Sequence, residues 1–114
     1  GLPTRRIQTS LDLDIRLVPL FGHTLGHCGV AIIHEETCTF HVGDAYYLRD
    51  ELHNLDHPVN LLAAMRADND QQRLQSLDEI RRISQRNDIA CTVFGYHDVT
   101  ELPAGIPLLN DLRG

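Results

Sequence analysis

Gly22-His23-Thr24-Leu25-Gly26-His27 places two imidazoles four residues apart and frames them with glycines. On a helix that spacing would put both rings on one face. The two glycines and the lack of a Glu between the histidines argue against a zinc-protease helix, so the stretch reads as a loop. Just upstream, Leu11-Asp12-Leu13-Asp14-Ile15-Arg16-Leu17 alternates apolar and polar residues, the pattern of a half-buried strand, and Leu17 to Gly22 is its apolar end running into a glycine. The same design returns twice. Thr39-Phe40-His41-Val42-Gly43-Asp44 ends on a glycine and an aspartate, and Val93-Phe94-Gly95-Tyr96-His97 ends on a glycine with a histidine two residues later. In layered α/β folds functional side chains gather just beyond strand ends, where the sheet gives them a rigid base. His23, Asp44 and His97 together are the donors a borderline cation such as Zn²⁺ prefers. Each alone is an ordinary cap or turn residue; the conjunction of all three carries the weight.

Outward from these points the chain organises as β-β-β-α-α-β. Cys28 to Ile33 is a short apolar run, His34-Glu35-Glu36-Thr37 is a polar turn, and Cys38, Phe40 and Val42 alternate again, which predicts a hairpin. Leu61, Leu62 and Met65 suggest a short helix starting near Pro58, where proline is tolerated in the first turn. Leu74, Leu77, Ile80 and Ile83 recur at helical spacing, and Asp68, Asn69 or Asp70 is available as the cap. Ile89 to Phe94 is continuously apolar, as expected of a strand buried on both faces. The tail from Pro103 to Gly114 has no clear period.

The 114 residues suit a single unit, 1–114, with one modest core. Ten basic residues against sixteen acidic ones give a net charge of −6, which disfavours nucleic acid and anionic membranes as partners. No apolar run approaches the ~20 residues of a membrane-spanning helix, and the N-terminus does not read as a signal peptide. All the basic residues are Arg; without Lys, a P-loop ATPase and a Lys Schiff-base enzyme are excluded. Cys28, Cys38 and Cys91 form no CxxC, and an odd number without spacing logic points to a reducing cytoplasm, with each cysteine acting as a small hydrophobe in a strand.

The three motifs, Gly22 to His27, Gly43-Asp44 and Gly95-Tyr96-His97-Asp98, resemble the last three motifs of the metallo-β-lactamase-fold hydrolases in order and spacing. The resemblance covers roughly residues 11–102, and the six-residue first motif is its most specific part. It implies an α/β fold, a mixed sheet with two helices forming the C-terminal half of an αββα sandwich. It also implies that His23, Asp44 and His97 are metal ligands, with Asp44 bridging two metals. His27 would support the ligands without touching metal. Tyr47, three residues after Asp44, stands where the family's N-acyl-homoserine lactonases carry a tyrosine that hydrogen-bonds the substrate carbonyl, and His97-Asp98 is also lactonase-like. The implied reaction is hydrolysis of an ester, lactone, thioester or amide of a small-molecule substrate. Two Zn²⁺ ions, with Fe or Mn as alternatives, would lower the pKa of a bound water toward ~7. Asp44 and Tyr47 would act catalytically, Tyr47 by stabilising the oxyanion.

The family's His-x-His-x-Asp-His signature, which supplies the rest of the metal site, is absent. His53-Asn54-Leu55-Asp56-His57 imitates its end but lies after Asp44, in the wrong order, and reads as a solvated loop; His34 and His41 read as structural. The expectation is a chain that is inactive alone and completed by a missing N-terminal half, or that covers its exposed sheet as a homodimer. On that expectation Leu11, Leu13, Ile15 and Leu17 share the bare face with Cys38, Phe40 and Val42. The alternative reading is a metal-free interaction or regulatory module that keeps the fold.

Overall fold

The alternation that marks the strands decides which residues meet the helices. The computed structural model describes residues 3–54, 56–86 and 90–101. Along the chain come β1 (Arg5–Ile7), β2 (Asp14–Pro19), β3 (Cys28–His34), β4 (Thr37–His41), α1 (Val59–Arg66), α2 (Asp70–Ser84) and β5 (Ala90–Phe94), with short 3₁₀ turns at Arg49–Leu52 and Val99–Glu101. The five strands form one mixed sheet in sequence order, antiparallel from β1 to β4, with β5 added parallel to β4. The expected hairpin is β3–β4, and its turn is closed by Glu35 at φ 54°. The parallel crossover from β4 to β5 carries both helices, as a parallel pair requires.

Both helices lie where the residue pattern places them, with different packing. Pro58 precedes α1, but Leu61 and Met65 are turned outward, 72% and 83% exposed, and Ala63 makes the inward contact. In α2 the Asn69 side chain caps the first turn by accepting from the Gln72 amide at 3.0 Å. Leu77 and Ile80 are fully buried and Ile83 packs on the core, whereas Leu74 faces outward and Arg73 takes the inward position one turn before Leu77. These residues close over Val18, Ala31, Phe40, Val42 and Val93 on one face of the sheet.

Three expectations about the sheet are corrected. Strand β2 begins at Asp14, so Leu11 and Leu13 precede it. Within the sheet, Ala31 pairs with Phe40 and Ile33 with Cys38, so Phe40 and Cys38 point to the helix-covered side together with Val18. Because successive side chains alternate, Ile15 and Leu17 point the other way, where the register sets them opposite Ile32 and Val30. The face without helices is therefore Ile7, Ile15, Leu17, Val30 and Ile32, not a surface shared with Phe40 and Val42. Strand β5 is an edge strand buried on one face only: Val93 is buried while Ala90 and Thr92 are exposed. Ile89, Leu55 and the Pro103–Gly114 tail lie outside the described residues.

Candidate active site

Strands β2, β4 and β5 run in the same direction, so their C-terminal ends share one edge of the sheet. The residues that follow those three ends are His23, Asp44 and His97, which is why sequence-distant motifs meet. The Asp44 Oδ2 atom lies 3.6 Å from His23 Nε2, and Oδ1 lies 2.9 Å from His97 Nε2. Tyr47 stands between the two imidazoles, its ring centroid 5.0 Å from His97 and 6.4 Å from His23.

Two glycines make the approach sterically feasible. Gly22 adopts φ 132°, and a Cβ there would fall 2.1 Å from the Arg73 amide nitrogen, so only glycine lets the His23 loop lie against the start of α2. The loop is fastened there by Asn69 N–H to Gly22 O at 3.0 Å and Asp68 N–H to His23 O at 3.2 Å. Gly43, at φ 60°, brings its backbone against His27, whose Nε2 would lie 2.7 Å from an added Cβ.

His27 ties the two loops together. Its Nε2 accepts the Asp44 amide hydrogen at 3.0 Å, so Nδ1 carries the proton and donates it to Leu20 O at 2.8 Å. With both nitrogens occupied, the neutral imidazole sets the backbone of Asp44 rather than offering a lone pair to the site. His41 plays a smaller part of the same kind, accepting from Gly43 N at 3.0 Å.

Three positioning groups escaped the sequence reading. Glu51 is buried, and its Oε2 accepts from Tyr47 N at 2.6 Å and Leu48 N at 2.9 Å, fixing the segment that presents Tyr47. Its other oxygen lies 4.0 Å from the guanidinium of Arg73, which is also held by Asp70 at 2.7 Å and Asn60 at 2.9 Å. Arg73 thereby joins the base of the His23 loop to the base of the Tyr47 segment. Glu101 is the third: its carboxylate accepts from Gly95 N at 2.9 Å, the Tyr46 hydroxyl at 2.5 Å and Arg49 at 2.8 Å. Burial and that hydrogen bond push the Tyr46 phenol far above its usual range. Asp98 accepts from the Thr100 hydroxyl and amide and from the Arg49 amide, which together hold its carboxyl below the usual range; it braces the turn after His97 and takes no part in the convergence on Asp44.

A metal's suitability can be judged on the aspartate. Asp44 Oδ1 is buried and has no hydrogen-bond partner, although His97 Nε2 stands within hydrogen-bond distance, so the two approach without the alignment of a donor and acceptor. Lone pairs converging on shared space are what cation ligands present, and the donor types suit Zn²⁺. Each oxygen faces a different imidazole, giving one nitrogen and one oxygen toward each of two positions. That is half a coordination shell, and among the described residues no group of three or more His, Cys, Asp or Glu side chains is arranged to hold an ion alone. His53 and Asp56 are exposed in the loop before α1. A hollow of about 430 Å³ along α2, lined by Phe21, Gln72 and Arg82 among others, does not include His23, Asp44 or His97.

No family model matches the chain, and no curated protein matches it. Solved structures do. An N-acyl homoserine lactone hydrolase, with the product N-hexanoyl-L-homoserine bound at its catalytic metal centre, superposes with a TM-score of 0.56 at 15% identity, over 84% of this chain and 34% of that one. A quorum-quenching N-acyl homoserine lactone lactonase gives the same TM-score and identity over 85% of this chain and 37% of that one. The chain thus spans about a third of the length of these structures, and its five-stranded mixed sheet with two helices has the metallo-β-lactamase fold found in that part of them.

Proposed function

We propose that this chain supplies one side of a dinuclear metal centre in a hydrolase that opens a lactone or related ester or thioester. The observation that supports this reading best is the division of the Asp44 carboxylate, with Oδ2 toward His23 and Oδ1 toward His97. His23 and His97 would each hold one Zn²⁺, or Fe or Mn, and Asp44 would bridge the pair. Bound there, such cations act as Lewis acids and make water acidic enough to supply hydroxide near neutral pH. Tyr47 would donate from its phenol to the substrate carbonyl oxygen as charge develops on it. Asp44 would fix the spacing of the two imidazoles, and a carboxylate oxygen would take up the proton released by the attacking water and hand it to the leaving oxygen. Leu25 and Tyr96, 71% and 73% exposed beside His23 and His97, offer apolar surface to an organic substrate, and a short-chain N-acyl homoserine lactone is the probe of choice.

The remaining donors would come from a second sheet packed on Ile15, Leu17, Val30 and Ile32. Ile32 is 38% exposed and Ile7 37%, and a sheet partner at about 10 Å is the standard way to cover such a face. The 114-residue chain alone should therefore self-associate in light scattering, and Ile32→Glu should shift it toward monomer. A wild-type monomer with well-dispersed amide resonances would remove the need for a partner sheet.

Titration with Zn²⁺ tests the metal assignment directly. Structural zinc sites with a full ligand set are worth ~10–16 kcal/mol, so half a set predicts a Kd of roughly 1 µM to 0.1 mM. The imidazole resonances of His23 and His97 should move together, and Asp44→Asn should abolish the response. Two tightly held ions after dialysis would mean the site is complete in this chain. Unmoved resonances at millimolar Zn²⁺ would favour a metal-free module of the same fold.

A further inference from the structure

Parallel pairing of β4 with β5 sets Cys38 directly opposite Cys91, at the strand ends remote from Asp44 and His97. Both side chains point to the helix-covered face, half-buried beside the core, and their sulfurs lie 3.1 Å apart. Both are free thiols, as is Cys28, which sits at the start of β3 with its sulfur turned to the Gly26 carbonyl at 3.5 Å. A contact of 3.1 Å is inside the van der Waals separation of two sulfurs. Neighbouring strands also hold Cα atoms about 4.8 Å apart, within the ~4.4–6.8 Å range a disulfide spans.

From this geometry we propose that Cys38 and Cys91 are a dithiol modification site, which low-molecular-weight disulfides convert to an intramolecular cross-strand disulfide. The Cys91 thiol donates to the Cys38 sulfur, and that direction assigns Cys38 as the attacking sulfur and Cys91 as the partner that resolves. Burial together with that hydrogen bond pushes the Cys91 thiol up to about 12, which keeps it protonated until its turn comes. The Cys38 thiolate attacks one sulfur of glutathione disulfide. A mixed disulfide forms and one glutathione thiolate leaves, taking up a proton. Cys91 then gives up its proton, attacks the Cys38 sulfur and expels the second glutathione. Two protein thiols and one glutathione disulfide become one protein disulfide and two glutathione thiols. The bond would fasten β5, an edge strand, to β4 across a sequence separation of 53, and these are the two strands that deliver His97 and Asp44.

The test is to incubate the chain with excess glutathione disulfide, block remaining thiols by alkylation under denaturing conditions, and read the intact mass and the non-reduced peptide map. The expected product has lost two hydrogens, carries one alkyl group on Cys28 and links the Cys38 peptide to the Cys91 peptide; dithiothreitol restores three alkylated cysteines. Cys91→Ser should stop at a stable glutathione adduct on Cys38. Alkylation of all three cysteines after oxidant, separate glutathione adducts on Cys38 and Cys91, or a link that includes Cys28 would each overturn the proposal. An unmodified Cys38 in folded Cys91→Ser, folding being checked by circular dichroism, would overturn the assigned order of attack.

Discussion

Arg73→Met is expected to destabilise the chain by about 3–5 kcal/mol, because it strands a buried carboxylate. Arg73 and Glu51 are 2% and 1% exposed, and their nearest charged atoms are 4.0 Å apart. Met roughly fills the volume but leaves Glu51 with only the amides of Tyr47 and Leu48 as partners. At this chain length each kcal/mol corresponds to roughly 4 °C, so the Tm should fall by about 12–20 °C. Glu51→Gln in the same background removes the uncompensated charge. The double variant should therefore cost about 1–3 kcal/mol less than the two single changes added together. Additive losses in chemical denaturation would show that the two side chains act separately and do not connect the His23 loop to the Tyr47 segment.

Arg73 also shows where reading the sequence stops. Strands β2 to β5, the β3–β4 hairpin and both helices follow from periodicity and caps, because those signals are local, whereas the three-residue β1 (Arg5–Ile7) carries no such pattern. The inward stripe of α2 was assigned through Leu74, since an apolar residue normally outranks an arginine for a buried position. The arginine wins here because Asp70 and Asn60 accept hydrogen bonds from it and Glu51 sets a countercharge 4.0 Å away, and two of those three partners come from outside α2. Glu51 and Glu101 differ in this respect: Glu51 accepts from Tyr47 N and Leu48 N, four and three residues before it, a local capping contact at the start of the Arg49–Leu52 turn, whereas the Tyr46 hydroxyl and Arg49 reach Glu101 only through the tertiary fold. The faces of the sheet went wrong through register. Leu17 and Phe40 both belong to alternating runs, but the pairing Ala31–Phe40 and Leu17–Val30 puts them on opposite sides, and no spacing within either run reveals that. His23, Asp44 and His97 were legible because strand-end position is a local property, and the common direction of β2, β4 and β5 turns it into a meeting point.

If the chain completes the proposed dinuclear hydrolase, Tyr47→Phe in the metal-loaded enzyme should lower kcat by roughly 10–1000-fold on a lactone probe, as for loss of one donor to a developing oxyanion. The ring is clasped by His97 at 5.0 Å and His23 at 6.4 Å, and its backbone is fixed by Glu51, so phenylalanine should occupy the same place and only the hydroxyl is lost. Metal content should then stay unchanged and KM should move little, since the missing interaction strengthens only as the carbonyl oxygen gains charge. Asp44→Asn is the contrasting variant: an amide offers one neutral acceptor where the carboxylate presents two charged oxygens to two imidazoles, so metal content and activity should fall together. If Tyr47→Phe turns over at the wild-type rate, Tyr47 serves to pack His23 and His97 and the carbonyl is polarised without it. If it loses metal as well, the phenol supports the geometry of the donors and its effect on kcat is indirect.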